Sequence, residues 1–156
     1  MRVLRPGVRI GVDVGKVRIG VSRSDPHAML ATPVETVPRG DGDLAVISAL
    51  AAELEAIEVV VGLPLSLSGA RTASTDDAAS FAAKLAATIE LPVRLVDERL
   101  STVTAQQALR ASGRTSRTSR SVIDQVAAVI ILQHALDFER SAGTPPGELA
   151  DPDEGS

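Results

Sequence analysis

Three carboxylates at the ends of apolar core segments constrain this chain more than any other feature. Asp13 lies between two valines near the end of an apolar run, Glu98 follows the apolar run 93–96, and Asp124 opens an apolar stretch. Gathering acids in one place is opposed by mutual repulsion and by desolvation. A hard divalent cation such as Mg²⁺, which prefers oxygen ligands, relieves both effects. The placement therefore indicates metal-dependent phosphodiester chemistry.

Asp13 also has a purely structural interpretation, because an aspartate beside a turn can close it by bonding to the backbone. Gly11 lies two residues earlier and on the same strand face, which leaves space beside the carboxylate and favours a functional role. Asp97 and Glu98 are adjacent, so on an extended strand they face opposite sides. Only one of them can join Asp13, and spacing alone leaves open which one. Both acids also have a structural interpretation, because acidic residues are favoured at the start of a helix.

Asp124 follows Ser121 by three residues, and this spacing resembles a capping pair in the first turn of a helix. The residues at i+3, i+4 and i+7 are all apolar, namely Ala127, Ala128 and Ile131. This pattern predicts that the Asp124 face of the helix packs inward, where an acid needs a partner. Metal ligation and capping are compatible roles for it.

Apolar periodicity predicts the order of the elements. Strands are expected at 8–14, 17–21, 34–37, 58–62 and 93–97, and helices at 44–54, from Ser74 to about 90, at 101–111 and at 122–140. The first two strands should form an antiparallel hairpin, and the later alternation of strands and helices favours parallel crossovers with helices on both faces. In such α/β sheets, ligand chemistry gathers at the carboxyl ends of the parallel strands. Asp13, the loop 62–70 and the Asp97–Glu98 pair all fall there.

Composition narrows the class further. A chain of 156 residues with 44% apolar residues predicts one domain, assigned to 1–142, followed by an acidic disordered tail at 143–156. Cysteine is absent, which excludes disulfides and thiolate chemistry, and Phe81 and Phe138 are the only large aromatic residues. With so few rings the chain is expected to read nucleic acid through backbone and shape. No signal-peptide or membrane-spanning pattern occurs, so a cytoplasmic location away from membranes is expected.

The charge is unevenly distributed. The net charge is −4, but the segment after Gly143 holds four acids and no base, so residues 1–143 carry 16 basic and 16 acidic side chains. Within 99–123 there are five arginines and no acid: Arg99, Arg110, Arg114, Arg117 and Arg120. Such a local surplus suits phosphate binding. It suits an arginine-rich, solvated loop at 113–121 equally well.

Four motifs together resemble the YqgF/RuvX family. They are GVDVGKVRIGVSRSD (Gly11–Asp25), VVVGLPLSLSG (Val59–Gly69), LPVRLVDERLST (Leu91–Thr102) and IDQVAAVIIL (Ile123–Leu132), in the family's order and spacing over about residues 8–137. The chain departs from the family pattern at Ser66, where asparagine is common, and at Arg117 and Arg120, where lysines are common.

The resemblance implies a ribonuclease H-like fold and a nuclease that matures the 5′ end of the 16S rRNA precursor or resolves Holliday junctions. It carries an acidic triad onto Asp13, Glu98 and Asp124, which would hold Mg²⁺ or Mn²⁺, and favours Glu98 over Asp97. The resemblance also implies that basic residues around the acids bind the phosphates of the substrate: Lys16, Arg18, Arg99, Arg114, Arg117 and Arg120. The substrate would be precursor rRNA or branched DNA, bound by a monomer or a homodimer.

Three other functions remain open at this point. An Asp-x-Gly turn after a strand also occurs in ATP-binding proteins of the actin and sugar-kinase type, but these need two lobes and 156 residues supply one. A non-catalytic assembly factor could keep the fold and only bind rRNA, although the presence of all three acids favours catalysis. A junction resolvase would need paired active sites and hence a dimer.

Overall fold

The computed structural model describes residues 5–98 and 116–151, with side chains in the last helix described from Gln125 onward. These ranges contain six strands and three helices. In chain order they are β1 (Val8–Val14), β2 (Arg18–Ser24), β3 (Ala31–Pro38), α1 (Asp43–Glu53), β4 (Ala56–Leu63), α2 (Ala73–Thr88), β5 (Val93–Asp97), α3 (Ser116–Ala142) and β6 (Glu148–Leu149).

The strands form one mixed sheet in the order β3-β2-β1-β4-β5-β6. β1, β4 and β5 run parallel, whereas β2 and β3 pair antiparallel beside β1 and β6 pairs antiparallel with β5. β4 is almost fully buried, because helices cover both faces of the parallel strands. The predicted α/β class, with an N-terminal antiparallel hairpin, is confirmed.

Two apolar layers hold the helices to the sheet. On one face, Ile47 of α1 and Phe81 and Leu85 of α2 pack with the strand residues of the main core. On the other face, Ile131 and Leu132 of α3 pack with Val60. Small residues such as Ala82 and Ala135 lie in these layers and let the helices approach the sheet closely. Among the described helices, none is long and apolar enough to cross a bilayer.

Two predicted boundaries differ from the structure near the edge of the sheet and at α2. β3 is twice as long as expected and contains Pro33, which an edge strand tolerates because one side of its backbone needs no ladder partner. α2 begins at Ala73, one residue before the predicted start at Ser74, and Thr72 caps it. Thr72 accepts from the Thr75 N–H, and its own N–H donates to Thr75 Oγ1, which forms a reciprocal capping box.

The C-terminal part of the chain also departs from the prediction. α3 begins at Ser116, six residues before the predicted start, so two-thirds of the expected basic loop is helical. Arginine is a good helix former, and no glycine follows Gly113 in this segment. The segment predicted as a disordered tail contains β6, and the Ala150 N–H donates to the Val93 carbonyl at 2.7 Å. The helix predicted at 101–111 lies outside the described residues.

Candidate active site

The carboxyl ends of β1, β4 and β5 lie side by side and bring two of the predicted acids together. Asp13 is the last but one residue of β1, and Asp97 ends β5 opposite Leu63 of β4. The Glu98 N–H donates to the Leu63 carbonyl at 3.2 Å, which continues the ladder by one residue and directs Glu98 back over the sheet. Because side chains alternate along a strand, Asp97 takes the opposite side.

Burial distinguishes the adjacent acids. Glu98 is only 7% exposed, whereas Asp97 is exposed. Glu98 is hydrogen-bonded to Asp13, and its pKa is raised to about 8, first by burial and then by the negative charge of Asp13. Two carboxyl groups in contact inside the protein resist ionising together. The structure thus pairs Asp13 with Glu98 and leaves Asp97 outside the pair.

The donor set of this pair fits a hard divalent cation. Glu98 Oε2 is buried and has no hydrogen-bond partner among the described residues. An orphaned carboxylate oxygen beside a second carboxyl group has the chemistry that Mg²⁺ and Mn²⁺ take as ligands. No group of three or more metal-ligating side chains occurs within the described ranges. The side chain of the third predicted ligand, Asp124, lies outside them.

The backbone of α3 nevertheless carries Asp124 to the same end of the sheet. α3 runs antiparallel to β1. Glu139, late in α3, contacts Arg9 near the start of β1. The Ala128 carbonyl, earlier in α3, accepts a hydrogen bond from the Ser22 hydroxyl, and Ser22 of β2 lies opposite Gly11 in the middle of β1. From Ala128 back to Asp124 the helix rises roughly 6 Å, and from Gly11 to Asp13 the strand advances roughly 6.6 Å. The turn with Asp124 therefore lies at the level of Asp13.

Gly11 permits this close approach. A Cβ at that position would lie 2.8 Å from the Ala128 carbonyl oxygen and 2.8 Å from Leu132 Cβ, and would overlap the Ser22 hydroxyl. The space that the sequence places beside Asp13 is therefore filled by the backbone of α3. Ser22, which is fully buried, was missed from the sequence because a serine two residues from the end of a strand carries no distinguishing pattern.

The basic residues of the β1–β2 turn lie next to the acids. Lys16 is exposed and Arg18 is half-buried, and the Gly15 N–H donates to the Arg18 carbonyl across the turn. Arg39, which sequence reasoning did not single out, braces this turn by donating to the Gly15 carbonyl at 2.8 Å and to Asp77 at 2.9 Å. That hydrogen bond from Arg39 holds the pKa of Asp77 below its usual value.

The remaining predicted phosphate contacts are only partly located. Arg99 and Arg114 lie outside the described residues. Arg117 and Arg120 lie on the first turns of α3, where the backbone alone is described. These turns precede Gln125, whose side chain donates to Thr36 of β3. Thr36 pairs with Gly20 of β2, and Gly20 pairs with Asp13 of β1, so Gln125 lies at the Asp13 end of the sheet. The helix therefore carries both arginines beyond the carboxyl edge.

The fold and the paired acids define a class, the nucleases with a ribonuclease H-like sheet. A solved structure described as Thermus thermophilus RuvC in complex with Holliday junction substrate superimposes with a TM-score of 0.55. The match covers 90% of this chain and 99% of that one at 17% identity, a likeness of fold. The family model described as RuvX, Holliday junction resolvase, matches residues 7–138, and the chain belongs to this family. The predicted resemblance is confirmed.

Curated relatives agree with the assignment. A protein of Clavibacter michiganensis subsp. michiganensis is 66% identical over 149 residues, covering 94% of this chain and 92% of its own length. One of Leifsonia xyli subsp. xyli is 58% identical over 151 residues, covering 96% and 97%. Both are named "Putative pre-16S rRNA nuclease". The chain is accordingly a nuclease, a hydrolase of phosphodiester bonds.

The contact between Gly62 and Glu98 gives a first testable prediction. A Cβ on Gly62 would overlap Glu98 Oε2 and lie 2.6 Å from Ile131 Cδ1, so Gly62→Ala should push the carboxylate out of its position. We expect nuclease activity to fall by about 10²-fold, the cost of misplacing a reacting group by about 1 Å. Cleavage rates measured beside Thr32→Ala, an exposed β3 control, would test this. Unchanged activity in a folded variant would contradict the positional requirement.

Proposed function

We propose that this nuclease matures the 5′ end of the 16S rRNA precursor in the cytoplasm, with Mg²⁺ or Mn²⁺ bound at Asp13, Glu98 and Asp124. The observation that carries the proposal is the buried Glu98 carboxyl group hydrogen-bonded to Asp13 at the carboxyl end of the parallel strands. The names of the curated relatives support the choice of substrate and hence a part in ribosome biogenesis.

The two described acids and the turn that carries Asp124 would hold the cation. When bound, it would supply a nucleophilic water at neutral pH and stabilise the negative charge that develops on the leaving oxygen. The chain's own residues perform the rest. Burial of Glu98 between Gly62 and Ile131 keeps bulk water from one side of the site and fixes the carboxylate.

Around the acids, basic side chains would orient the substrate. Lys16 and Arg18 stand on the turn that follows Asp13, and Arg39 fixes the backbone of that turn through Gly15. A phosphate of the bound strand at this turn would be attracted by both charges, which positions the neighbouring phosphodiester over the acid pair. The turn therefore serves binding and orientation and leaves the acids to the chemistry.

A second candidate is resolution of four-way DNA junctions by a homodimer. The description of the family model as a Holliday junction resolvase favours it. A dimer would be required because two strands must be cut in a coordinated way. A non-catalytic rRNA-binding factor is the third alternative, and it would need no divalent cation.

A cleavage assay distinguishes the three candidate functions, namely the rRNA nuclease, the junction resolvase and the non-catalytic factor. Purified protein is incubated with end-labelled 16S rRNA precursor or with a four-way junction, each with Mg²⁺, Mn²⁺ or EDTA, beside Asp13→Asn. We expect cation-dependent cleavage of the precursor near its mature 5′ end and none by the variant. Cleavage of the junction alone would favour the resolvase. The absence of any cleavage or cation titration would leave the assembly factor.

The arginines near the start of α3 should act on affinity. Replacing Arg114, Arg117 and Arg120 together with glutamine removes three positive charges, two of which stand on the first turns of α3. If all three contact phosphates, the slope of log affinity against log salt should flatten by about 2–3, since each contact contributes roughly 0.7–0.9. Turnover at saturating substrate should change little. An unchanged salt slope, measured by filter binding in EDTA, would assign these arginines to solvated surface.

A further inference from the structure

The two paired acids stand on opposite sides of the boundary between β1 and β4. Asp13 lies on β1, whereas Glu98 continues β5 and donates its N–H to Leu63 of β4. The described pairing of β1 with β4 ends at Val12 opposite Val61, one residue before Asp13. The pairing of β4 with β5, in contrast, continues as far as Leu63. Contacts other than ladder pairs between β1 and β4 must therefore set the separation of the two acids.

The first turn of α2 reaches the β4 side of this boundary through Thr75. The Thr75 hydroxyl donates to the carbonyl of Pro64, which directly follows Leu63. Thr75 is fully buried, and its Oγ1 also accepts the Thr72 N–H at 2.9 Å. The hydroxyl is thus used both as a donor and as an acceptor. It fixes to the helix the segment that carries the hydrogen-bond partner of Glu98.

The same helix reaches the β1 side through Asp77 and Arg39. The Asp77 carboxylate accepts two hydrogen bonds from Arg39, at 2.9 Å and 3.1 Å, in a bidentate geometry. Arg39 Nη1 also donates to the Gly15 carbonyl at 2.8 Å, and the Arg39 backbone N–H donates to the Val17 carbonyl at 2.9 Å. The guanidinium carbon lies 5.4 Å from the centroid of the Phe81 ring of α2. Arg39 therefore holds the β1–β2 turn at two points, and α2 holds Arg39.

The charge of Arg39 is directed toward the protein. Two carboxylates face its guanidinium, since Asp77 takes the bidentate contact and Asp43 Oδ2 lies 3.8 Å from Nε. A phosphate that approached this group would be repelled by both carboxylates. Arg39 therefore acts through the turn it binds, in which Gly15 lies two residues after Asp13.

We propose that the start of α2 positions the acid pair by setting the separation of the Asp13 and Glu98 carboxyl groups. Thr75 acts on the Glu98 side of the boundary, and the Asp77–Arg39 pair acts on the Asp13 side. Groups that bind a ligand must be held within about 0.5 Å of their working geometry, and the residues behind them provide this. The inference rests on the cation site of the proposed function and adds the residues that support it.

Calorimetric titration with Mn²⁺ tests the Thr75 contact without requiring cleavage. Thr75→Val keeps the shape of the side chain and removes the hydroxyl, and we expect it to weaken Mn²⁺ binding by about 10- to 100-fold, the usual range for residues that support metal ligands. Thr75→Ser keeps the hydroxyl and should bind Mn²⁺ like the parent chain. Thr88→Val is the matched control, because it removes a hydroxyl that bonds to the Lys84 carbonyl at the end of α2. Parent-like Mn²⁺ affinity in folded Thr75→Val would overturn the role of Thr75.

The same titration tests the contact through Arg39. Arg39→Met should weaken Mn²⁺ binding over the same range of about 10- to 100-fold. Asp77→Ala should act in the same direction and keeps the test valid if Arg39→Met fails to fold, because the Asp77 side chain is 41% exposed. Asp76→Ala, which removes an exposed pair with Arg71, is the control. Combining Arg39→Met with Asp77→Ala should cost no more than Arg39→Met alone, and additive losses would contradict the action of Asp77 through Arg39.

A measurement on the metal-free chain makes the test independent of the cation. Because the sequence contains no cysteine, Val17→Cys and Leu67→Cys place one spin label on the β1–β2 turn and one on the segment between β4 and α2. Both side chains are well exposed, at 67% and 88%. Electron paramagnetic resonance should show one narrow distribution of distances between the labels. Thr75→Val and Arg39→Met should each broaden it, and Thr88→Val should not.

The outcomes separate this inference from the proposed function. If the distances broaden as expected but even the parent chain binds no Mn²⁺, the proposed cation site fails and the positioning role stands. If the parent chain binds Mn²⁺ and neither affinity nor distance responds to Thr75→Val and Arg39→Met, the positioning role fails alone. Weaker Mn²⁺ binding with unchanged distances would also overturn it, because the acids would then be affected without movement of the segments that support them.

Discussion

Asp13→Asn and Glu98→Gln are each expected to reduce cleavage by about 10³-fold or more. The divalent cation proposed for this site would contribute several kcal/mol of transition-state stabilisation, and each 1.4 kcal/mol corresponds to about tenfold in rate. Both substitutions preserve the shape of the side chain and remove the charge that would hold this cation. Initial rates on labelled 16S rRNA precursor in Mg²⁺ measure the loss.

Stability distinguishes this role from a structural one. Burial and then the charge of Asp13 raise the pKa of Glu98, so in metal-free buffer the two carboxyl groups cannot both ionise without a cost in free energy. Removing one charge should leave the thermal unfolding temperature unchanged or raise it, as is common when a functional strain is relieved. Melting curves in EDTA with and without the substitution provide this measurement.

Asp137→Asn is the matched control for both variants. It removes a carboxylate from the exposed face of α3, where Asp137 pairs with Arg140, and should preserve activity. Full activity in folded Asp13→Asn would refute the metal assignment. A marked loss of thermal stability in that variant would instead favour the interpretation of Asp13 as the residue that closes the β1–β2 turn.

Much of this architecture follows from local patterns. The alternation in 8–14 predicts β1 with the bounds that the structure shows, and the apolar run at 58–62 predicts a strand covered on both faces. Once β1, β4 and β5 are taken as parallel, their carboxyl ends must share one edge, which brings Asp13 near the Asp97–Glu98 pair. Local sequence patterns therefore suffice to predict the fold class and the proximity of Asp13 to the Asp97–Glu98 pair.

The choice between Asp97 and Glu98 required three-dimensional information. The two residues differ by one position, and spacing cannot say which of two alternating faces points toward β1. The register of β5 against Leu63 decides it, and that register depends on contacts between segments more than thirty residues apart. The early start of α3 and the pairing of β6 were missed for a similar reason, since packing on the sheet outweighs weak local preferences.

A charged cluster at the opposite end of the sheet was also invisible in the sequence. Arg5 and Arg94 both donate to Glu58, at 3.1 Å and 2.7 Å, and Arg5 and Arg9 both donate to Glu139 of α3. The partners are 36 to 134 residues apart, so no motif connects them. This cluster binds the start of the chain to the last helix.

Glu139→Leu is expected to lower the free energy of unfolding by about 3–5 kcal/mol, the cost of leaving a buried charge without its partner. Arg9 is 1% exposed and its Nη2 donates to Glu139 at 3.1 Å, so its guanidinium cannot reach water when the carboxylate is removed. Burial already lowers the pKa of Arg9 below its ordinary value. Urea unfolding curves of the two proteins give the difference directly.

Asp137→Ala on the same helix is the matched control. Its ion pair with Arg140 is exposed, and the expected cost is about 0–1 kcal/mol. Combining Glu139→Leu with Arg9→Met should recover part of the loss, because it replaces both buried charges with apolar groups of similar size. If Glu139→Leu and Asp137→Ala lower the free energy of unfolding equally, the burial of Arg9 does not determine the loss of stability.

The effect of Glu139 should also depend on pH. Burial alone would raise its pKa, but hydrogen bonds from Arg5 and the charges of Arg5 and Arg9 hold it below the ordinary value of 4.5. A lowered carboxyl pKa contributes stability above the unfolded value and loses it as the pH falls through the folded value. The difference between the parent chain and Glu139→Leu should therefore be constant from neutral pH to about 5 and narrow below 4.5. A difference that persists unchanged in acid would show that Glu139 stabilises the fold through packing and not through its charge.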